Sequence, residues 1–233
     1  MQTKIEIKIK TLSNLFIGGS PKAFEIGGID MYTVTTSDGK PYIPASTLKG
    51  ALRGIVHERQ SDKEAKRIAE IYSSYIENEM KKKEEMIKKL CKDEMEVLQI
   101  KKRYDKAIND ASAESLFGIE GFSNVPSLLF EDLHLCENYS DRSECFSIDA
   151  KNTIEINDEK TISNPRTYKT IRKGIELQGK IHLYKIEQLG EEAVDICIGY
   201  ISTCLEMFNQ GIYRLGNSKS RGYGRIEVDI KRN

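Results

Sequence analysis

The sequence predicts an α+β fold with a βαββαβ core, the ferredoxin-like arrangement that RNA-recognition motifs also use. Three observations support this prediction. Strand patterns with a period of two open and close the chain, at residues 4–10 and 225–230. Amphipathic helix patterns cover residues 46–57 and 191–208, and strand patterns lie between them. Finally, residues 55–117 contain neither glycine nor proline, which indicates long helices added to the core.

The first strand and the first helix have clear signals. Ile5, Ile7 and Ile9 alternate with charged residues, as expected for a strand with one buried face. The helix follows Pro44, and Ser46 or Thr47 is the predicted N-cap. Its apolar residues share one face and are Leu48, Leu52, Ile55 and Val56.

The segment at about 58–112 is predicted to be a helical insertion into the core domain. Its apolar residues recur at helical spacing, so it forms one long helix or a helical hairpin with a turn near residues 92–94. Lysine and glutamate residues alternate along it. This pattern favours a solvated face with i,i+4 ion pairs over a nucleic-acid surface.

The second half of the chain returns to strand patterns at residues 127–135 and 175–186. A helix follows at residues 191–208, and Gly211 lies where a helix terminator is expected. The last strand, residues 225–230, completes the core. No internal repeat or linker separates these elements, so residues 1–233 are predicted to form a single domain.

The charges balance but are unevenly distributed. Lysine plus arginine and aspartate plus glutamate number 36 each, so the chain has no overall attraction to nucleic acid or to anionic membranes. Basic residues predominate in segments 164–185 and 211–233, whereas acidic residues predominate in segment 131–159. The sequence therefore predicts two basic patches and one acidic surface that is solvated or faces a partner.

No apolar run approaches the roughly 20 residues that a membrane span requires, so we expect a cytoplasmic protein without a membrane partner. The five cysteines are irregularly spaced, which fits a reducing compartment. His134, Cys136 and Cys145 are the one cluster with potential zinc ligands. Because there is no CxxC pair and no evident fourth ligand, ordinary loop residues are the favoured interpretation.

The glycine-rich segment 216–224 carries the strongest local signal. Its three glycines permit positive φ angles and close approach of another chain, and Lys219, Ser220 and Arg221 supply donors that suit phosphate oxygens. A plain connecting turn is the alternative.

Three further motifs give this segment more weight. They are Glu25-Ile26-Gly27-Gly28-Ile29-Asp30, the run IPASTLKGALR at residues 43–53, and Asn164-Pro165-Arg166-Thr167. Together with SRGYG at residues 220–224, they resemble the RAMP superfamily of CRISPR systems, and most closely the repeated backbone subunit of type III effector complexes. The long segment at 58–112 departs from that pattern and leaves the subtype open.

The resemblance implies a modified RNA-recognition fold that lines a guide RNA in several copies and inserts a thumb-like hairpin, here the basic region at about 160–175. The implied partners are guide RNA, target RNA, copies of the same chain and other subunits of the complex. Binding without base preference requires donors to phosphate and sugar. The candidate RNA-binding residues are Ser46, Lys49, Arg53, Arg166, Lys169, Lys219, Ser220 and Arg221.

Asp30 is the candidate catalytic residue, because the resembling subunits cleave target RNA at an aspartate in this position. It would also be the ligand of a divalent cation, expected to be Mg²⁺, with RNA phosphates as further ligands. The alternative from the residues alone is a turn hydrogen bond.

Two other functions stay open. The chain could be a backbone or end subunit that binds RNA without cleaving it. It could also be an endoribonuclease that processes guide precursors through His57, although a capping or solvent-facing histidine is the favoured interpretation of that residue. His182 is expected to be structural. Tyr32, Tyr168 and Tyr223 are the candidate stacking residues, and each is more simply interpreted as partly buried and structural.

Overall fold

The computed structural model describes residues 4–19, 29–90, 94–136, 139, 143–157 and 160–231. The strands are β1 (Lys4–Thr11), β2 (Met31–Tyr32), β3 (Ser127–Phe130), β4 (His134–Leu135), β5 (Phe146–Asn157), β6 (Lys160–Ile171), β7 (Glu176–Tyr184) and β8 (Ile226–Lys231). The α-helices are α1 (Ala45–Glu58), α2 (Lys63–Leu90), α3 (Glu94–Asn109) and α4 (Glu191–Glu206). The predicted α+β class is confirmed.

The main sheet is antiparallel, with the strand order β3-β7-β1-β8, and β4 also pairs with β7. Its longer strands and the helices α1 and α4 follow one another along the chain as β1, α1, β3, β7, α4 and β8. Ile5, Ile7 and Ile9 are buried on one face of β1, as their alternation predicts. They belong to one hydrophobic core together with the apolar residues of α1 and α4.

The other face of the main sheet is charged. On β1 it bears Lys4, Glu6, Lys8 and Lys10, which alternate with the buried isoleucines. Lys8 Nζ lies 2.7 Å from Glu176 Oε2 on the neighbouring strand β7. The centre of this face therefore carries ion pairs, and β1 contributes no aromatic ring to it.

Helix α1 begins one residue earlier than its sequence signals suggest, and it has a different cap. Pro44 is the N-cap residue, with a φ of −57°, and the Ala45 N–H donates to Asp132 Oδ1 at 2.7 Å. Ser46 and Thr47 lie inside the first turn, so the prediction that one of them caps the helix is wrong. A carboxylate 87 residues away in the chain satisfies the helix end instead.

The helical region is a hairpin and not one long helix. The interface between α2 and α3 is lined by Met80, Ile87, Val97 and Tyr104, among other residues. The first half of α2 belongs to the core, because Ala65, Ile68 and Tyr72 are buried in it. Its remaining length packs against α3. Among the described residues, no helix is long and apolar enough to cross a membrane.

The second sheet has the order β2-β6-β5. Strands β5 and β6 pair over their whole described lengths as an antiparallel hairpin, while residues 158 and 159 lie outside the described part of the chain. The basic region at about 160–175 supplies only one arm of this hairpin. Its other arm, β5, comes from the acidic segment, where no strand is predicted from the sequence although Phe146, Ile148, Ala150, Ile154 and Ile156 alternate with polar residues.

Candidate nucleic-acid interface

The glycine-rich segment forms a closed loop that packs on the chain just after β1. The Leu215 N–H donates to Gly224 O at 2.8 Å and closes the loop. The Gly224 N–H donates to Asn14 O at 2.9 Å, and the Asn217 N–H donates to Phe16 O at 2.7 Å. The loop is therefore held by backbone hydrogen bonds to a segment about 200 residues away in sequence.

Two of the glycines are needed for this packing. Gly224 has a φ of +76°, and a Cβ atom there would lie 1.9 Å from Leu215 O. Gly216 has a φ of +75°, and its Cβ atom would lie 2.4 Å from Phe16 O. The close approach that the sequence analysis assigns to another chain is, at these two glycines, an approach of the protein's own backbone.

The donors of this loop lie on its outer side. Residues Lys219–Arg221 form a short 3₁₀ turn, and the side chains of Lys219, Ser220 and Arg221 are exposed. Arg214 Nη1 donates to Lys219 O at 2.7 Å and stabilises the turn. Two cations and a hydroxyl are therefore presented on a supported backbone, which suits contacts to phosphate.

Asp149 of β5 joins the hairpin to this loop. Its carboxylate accepts hydrogen bonds from Tyr223 Oη at 2.7 Å and from Asn14 Nδ2 at 2.9 Å, and also from Ser147 and Thr170. Partial burial raises the pKa of Asp149, but these hydrogen bonds outweigh burial and hold the pKa below its ordinary value. The carboxylate is consequently charged at neutral pH.

Lys151 contacts two tyrosine rings where the hairpin meets the glycine-rich loop. Its Nζ is 3.7 Å from the ring centroid of Tyr223 and 4.3 Å from that of Tyr168. Arg166 is directly opposite Lys151 in the β5–β6 register, so both side chains belong to the same hairpin face. Burial lowers the pKa of Lys151, and the charge of Arg221 lowers it further. This face therefore combines cations of the hairpin and of the loop.

The sequence did not single out Lys151, because it is one of only two basic residues in the acidic segment 131–159. Tyr168 and Tyr223 contact other side chains of the protein, which agrees with the interpretation favoured for them. The tyrosine at position 168 also makes an edge contact with Phe16, at 5.2 Å between ring centroids.

Asp30 is attached to the edge of the hairpin. It precedes β2, which runs parallel to β6 and pairs Met31 with Tyr168. Asp30 Oδ2 accepts hydrogen bonds from the N–H of Thr167 at 2.6 Å and from its Oγ1 at 3.1 Å. The Asp30 N–H donates to Thr167 O at 3.1 Å. The segment 25–28 that precedes it in the sequence motif lies outside the described residues.

The Asp30 carboxylate is exposed and charged. The hydrogen bond from the Thr167 backbone lowers its pKa most, followed by the Thr167 hydroxyl, and the nearby Arg166 guanidinium lowers it further. These hydrogen bonds join Asp30 to a residue 137 positions away, so they are not the local turn hydrogen bond of the alternative interpretation, and among the described contacts they engage only Oδ2.

Arg166 and Lys169, the two basic candidates on the hairpin, belong to opposite faces of β6, because they are an odd number of positions apart. Lys169 Nζ lies 4.6 Å from the ring centroid of Phe146 on the face away from Lys151. The hairpin therefore presents one cation on the junction side and one on the far side.

The α1 candidates have different neighbours. Ser46 is exposed in the first turn and Lys49 is half-buried. Arg53 Nε donates to Glu114 Oε2 at 2.8 Å, and Glu114 Oε1 lies 2.6 Å from His57 Nδ1. Arg53 thus forms an ion pair within the protein. The pair lies at the edge of a cleft of about 580 Å³ between α1 and α3.

The other metal and histidine candidates have neighbours within the protein. The ring of His134 stacks on Tyr42, while Cys136 and Cys145 are buried. His182 Nε2 lies 2.6 Å from Glu131 Oε1. Within the described ranges, no three histidine, cysteine, aspartate or glutamate side chains are grouped so as to hold a metal ion.

The fold and this surface define an α+β protein. Its hairpin and glycine-rich loop present cationic donors, and the charged Asp30 carboxylate is attached to the hairpin. A model of the RAMP superfamily matches residues 8–227, so the chain belongs to this superfamily. No curated protein matches the chain.

Among solved structures, the chain is similar to a component of "Cryo-EM structure of the Type III-B Cmr-beta bound to cognate target RNA". The two are 20% identical with a TM-score of 0.52, and the match covers 98% of this chain and 60% of the other. This chain thus spans less than two thirds of that one's length. At this identity the similarity supports the fold.

Replacement of Gly224 tests the packing of the loop. We expect Gly224→Ala to lower the free energy of unfolding by at least about 2 kcal/mol, because the new Cβ collides with Leu215 O at a positive φ. Gly50→Ala is the control, because nothing lies within 4 Å of a Cβ at this position on α1. It should raise stability by about 0.5–1 kcal/mol. Equal urea midpoints for the two variants would contradict the packing argument.

Removal of the Asp149 carboxylate tests the junction. Asp149→Ala should lower the free energy of unfolding at neutral pH by about 2–3 kcal/mol, measured by urea unfolding. Because the pKa of Asp149 lies below its ordinary value of 3.8, this contribution is complete above that value and is lost as the pH falls through the folded-state pKa. Asp195→Ala, on the exposed side of α4, should change stability by less than about 0.5 kcal/mol. A pH-independent difference between wild type and Asp149→Ala would count against a charged network.

Proposed function

We propose that the chain is an RNA-binding backbone subunit of a type III CRISPR effector complex, and that it cleaves target RNA paired with the guide. The observation that carries this proposal is the attachment of the charged Asp30 carboxylate to the same hairpin that bears Arg166 and contacts the glycine-rich loop. Membership of the RAMP superfamily supports it, as does the similar structure, which is described as bound to cognate target RNA.

The partners in this proposal are guide RNA, target RNA, further copies of the chain and other subunits, acting in the cytoplasm. Lys219, Ser220, Arg221 and Arg166 would contact phosphate and sugar, since lysine, arginine and hydroxyl donors are common ligands of these groups. Such contacts carry no base information. Sequence specificity would come from pairing between guide and target.

Asp30 would hold the divalent cation. Mg²⁺ is commonly bound by one or two carboxylates together with substrate phosphates and water, so a single exposed carboxylate fits this kind of site. When bound, the cation would stabilise the negative charge that develops on the scissile phosphate. Thr167 keeps the carboxylate oriented and ionised by donating twice to Oδ2.

Replacement of Asp30 tests catalysis. Asp30→Asn should reduce target cleavage in the assembled complex by at least about 100-fold and leave guide binding unchanged, because it removes a charge but keeps the side-chain size. Asp38→Asn is the matched control, since Asp38 is an exposed carboxylate that also accepts a hydrogen bond from a threonine hydroxyl. It should cleave at the wild-type rate.

Cleavage that survives Asp30→Asn unchanged would favour the alternative function within the same kind of complex, a backbone or end subunit that binds RNA passively. Loss of cleavage together with loss of guide binding would indicate that Asp30 acts through the hairpin structure. The catalytic role is supported only if the predicted reduction in cleavage occurs while guide binding stays intact.

A second candidate function has one specific observation in its favour. The contact between Glu114 and His57 Nδ1 orients an exposed imidazole, an arrangement found in general acid and base catalysts. A guide-precursor endoribonuclease would cleave repeat RNA as an isolated protein without metal, and His57→Ala would stop it. Absence of such cleavage by the purified wild-type chain would eliminate this candidate.

The phosphate contacts predict a defined salt dependence. The double variant Lys219→Ala/Arg221→Ala should weaken RNA binding and make the slope of log K against log salt less steep by about 0.7 for each phosphate that is no longer bound. Lys81→Ala/Lys83→Ala is the control, because these lysines pair with Glu77 and Glu79 on α2. It should leave the slope unchanged. A loop variant with the wild-type slope would show that the loop donors do not contact phosphate.

A further inference from the structure

We propose that Lys151 is a positioning residue that fastens the hairpin to the glycine-rich loop, so that Arg166 and Arg221 form one RNA-binding surface. The contact of Lys151 with the two segments does not depend on the proposed function. Its effect on RNA binding rests on that function. Lys151 is therefore not a phosphate ligand in this proposal. Its role is to fix the position of the hairpin donor Arg166 relative to the loop donor Arg221.

The first argument is the environment of the Lys151 amine. Its Nζ is buried, and no hydrogen-bond acceptor reaches it among the described residues. An ammonium group in such a place is unfavourable unless another interaction compensates. The faces of Tyr223 and Tyr168, at 3.7 and 4.3 Å, each provide a cation–π interaction.

The second argument is the origin of the two rings. Tyr223 belongs to the glycine-rich loop, whereas Tyr168 belongs to β6, and Lys151 itself belongs to β5. One amine therefore joins both hairpin strands to the loop. Each ring is fixed by a further neighbour, because the hydroxyl of Tyr223 donates to Asp149 and the ring of Tyr168 contacts Phe16. Both rings that contact the amine are consequently held in place.

The third argument is the charge of the assembled surface. Arg166 lies opposite Lys151 in the strand register, and the charge of Arg221 is close enough to lower the pKa of Lys151. Like charges repel, so these cations would separate unless the packing held them together. The Asp149 carboxylate next to the stack offsets part of this repulsion.

Hydrogen exchange of the RNA-free protein tests the interaction. Lys151→Met keeps the length of the side chain but removes its charge. We expect amide exchange to accelerate by about tenfold in both residues 146–171 and the loop at 216–224, because the variant lacks the cation–π interaction that joins them. Lys180→Met is the matched control, since Lys180 is another half-buried lysine on a strand. It should leave exchange in both segments unchanged.

The conservative variant Lys151→Arg should restore slow exchange, because a guanidinium also stacks on aromatic rings. Unchanged exchange in Lys151→Met would overturn the proposal. So would faster exchange in only one of the two segments, since the amine would then not join them. If Lys151→Met does not fold, slow exchange in Lys151→Arg supports the proposal and fast exchange in it overturns the proposal.

The salt dependence of RNA binding separates positioning from direct contact. Lys151→Met should weaken binding by about tenfold with the wild-type slope of log K against log salt. A slope that becomes less steep by about 0.7 would mean that Lys151 contacts a phosphate, and the positioning role would be wrong. If the wild-type protein binds no RNA, the proposed function fails, and the exchange experiment still decides whether Lys151 joins the hairpin to the loop.

Discussion

The junction at Asp149 is the interaction on which the candidate interface depends. One carboxylate accepts hydrogen bonds from the segment after β1, from both strands of the hairpin and from the glycine-rich loop. Because the donors come from separate parts of the chain, the carboxylate sets their relative positions. Further contacts of the hairpin are those of Lys151 with Tyr223 and of Tyr168 with Phe16, together with the pairing of β6 with β2.

In the proposed function, this junction would let binding and cleavage lie on different segments that act together. The glycine-rich loop contributes exposed donors, and the hairpin contributes Arg166 and the attachment site of Asp30. The glycines at 216 and 224 serve the internal packing of this unit. In the proposed function, the unit would bind RNA through its outer side chains and place the carboxylate at a constant distance from them.

The main sheet differs from that of an RNA-recognition motif, in which aromatic residues on the open sheet face stack on bases. Here β1 presents lysine and glutamate on that face, and Lys8 is paired with Glu176. The rings on this face include those of His182 and Tyr184 of β7, and β1 offers no stacking position. In the proposed function, RNA contacts are thereby assigned to the hairpin and loop, and α1 would contribute through Ser46 and Lys49 more readily than through Arg53, which is paired with Glu114.

Local patterns in the sequence determined the α+β class, the buried face of β1, the helices α1 and α4, and the motifs of the RAMP superfamily, because each of these depends on residues close together in the chain. Only the tertiary structure decided the Asp132 cap, the pairing of Arg53 and the position of Lys151. Each of these is an interaction between distant residues; Asn14 and Asp149, for example, are 135 positions apart. Periodicity reports the exposure of one element, whereas the partner of a side chain depends on how several elements pack.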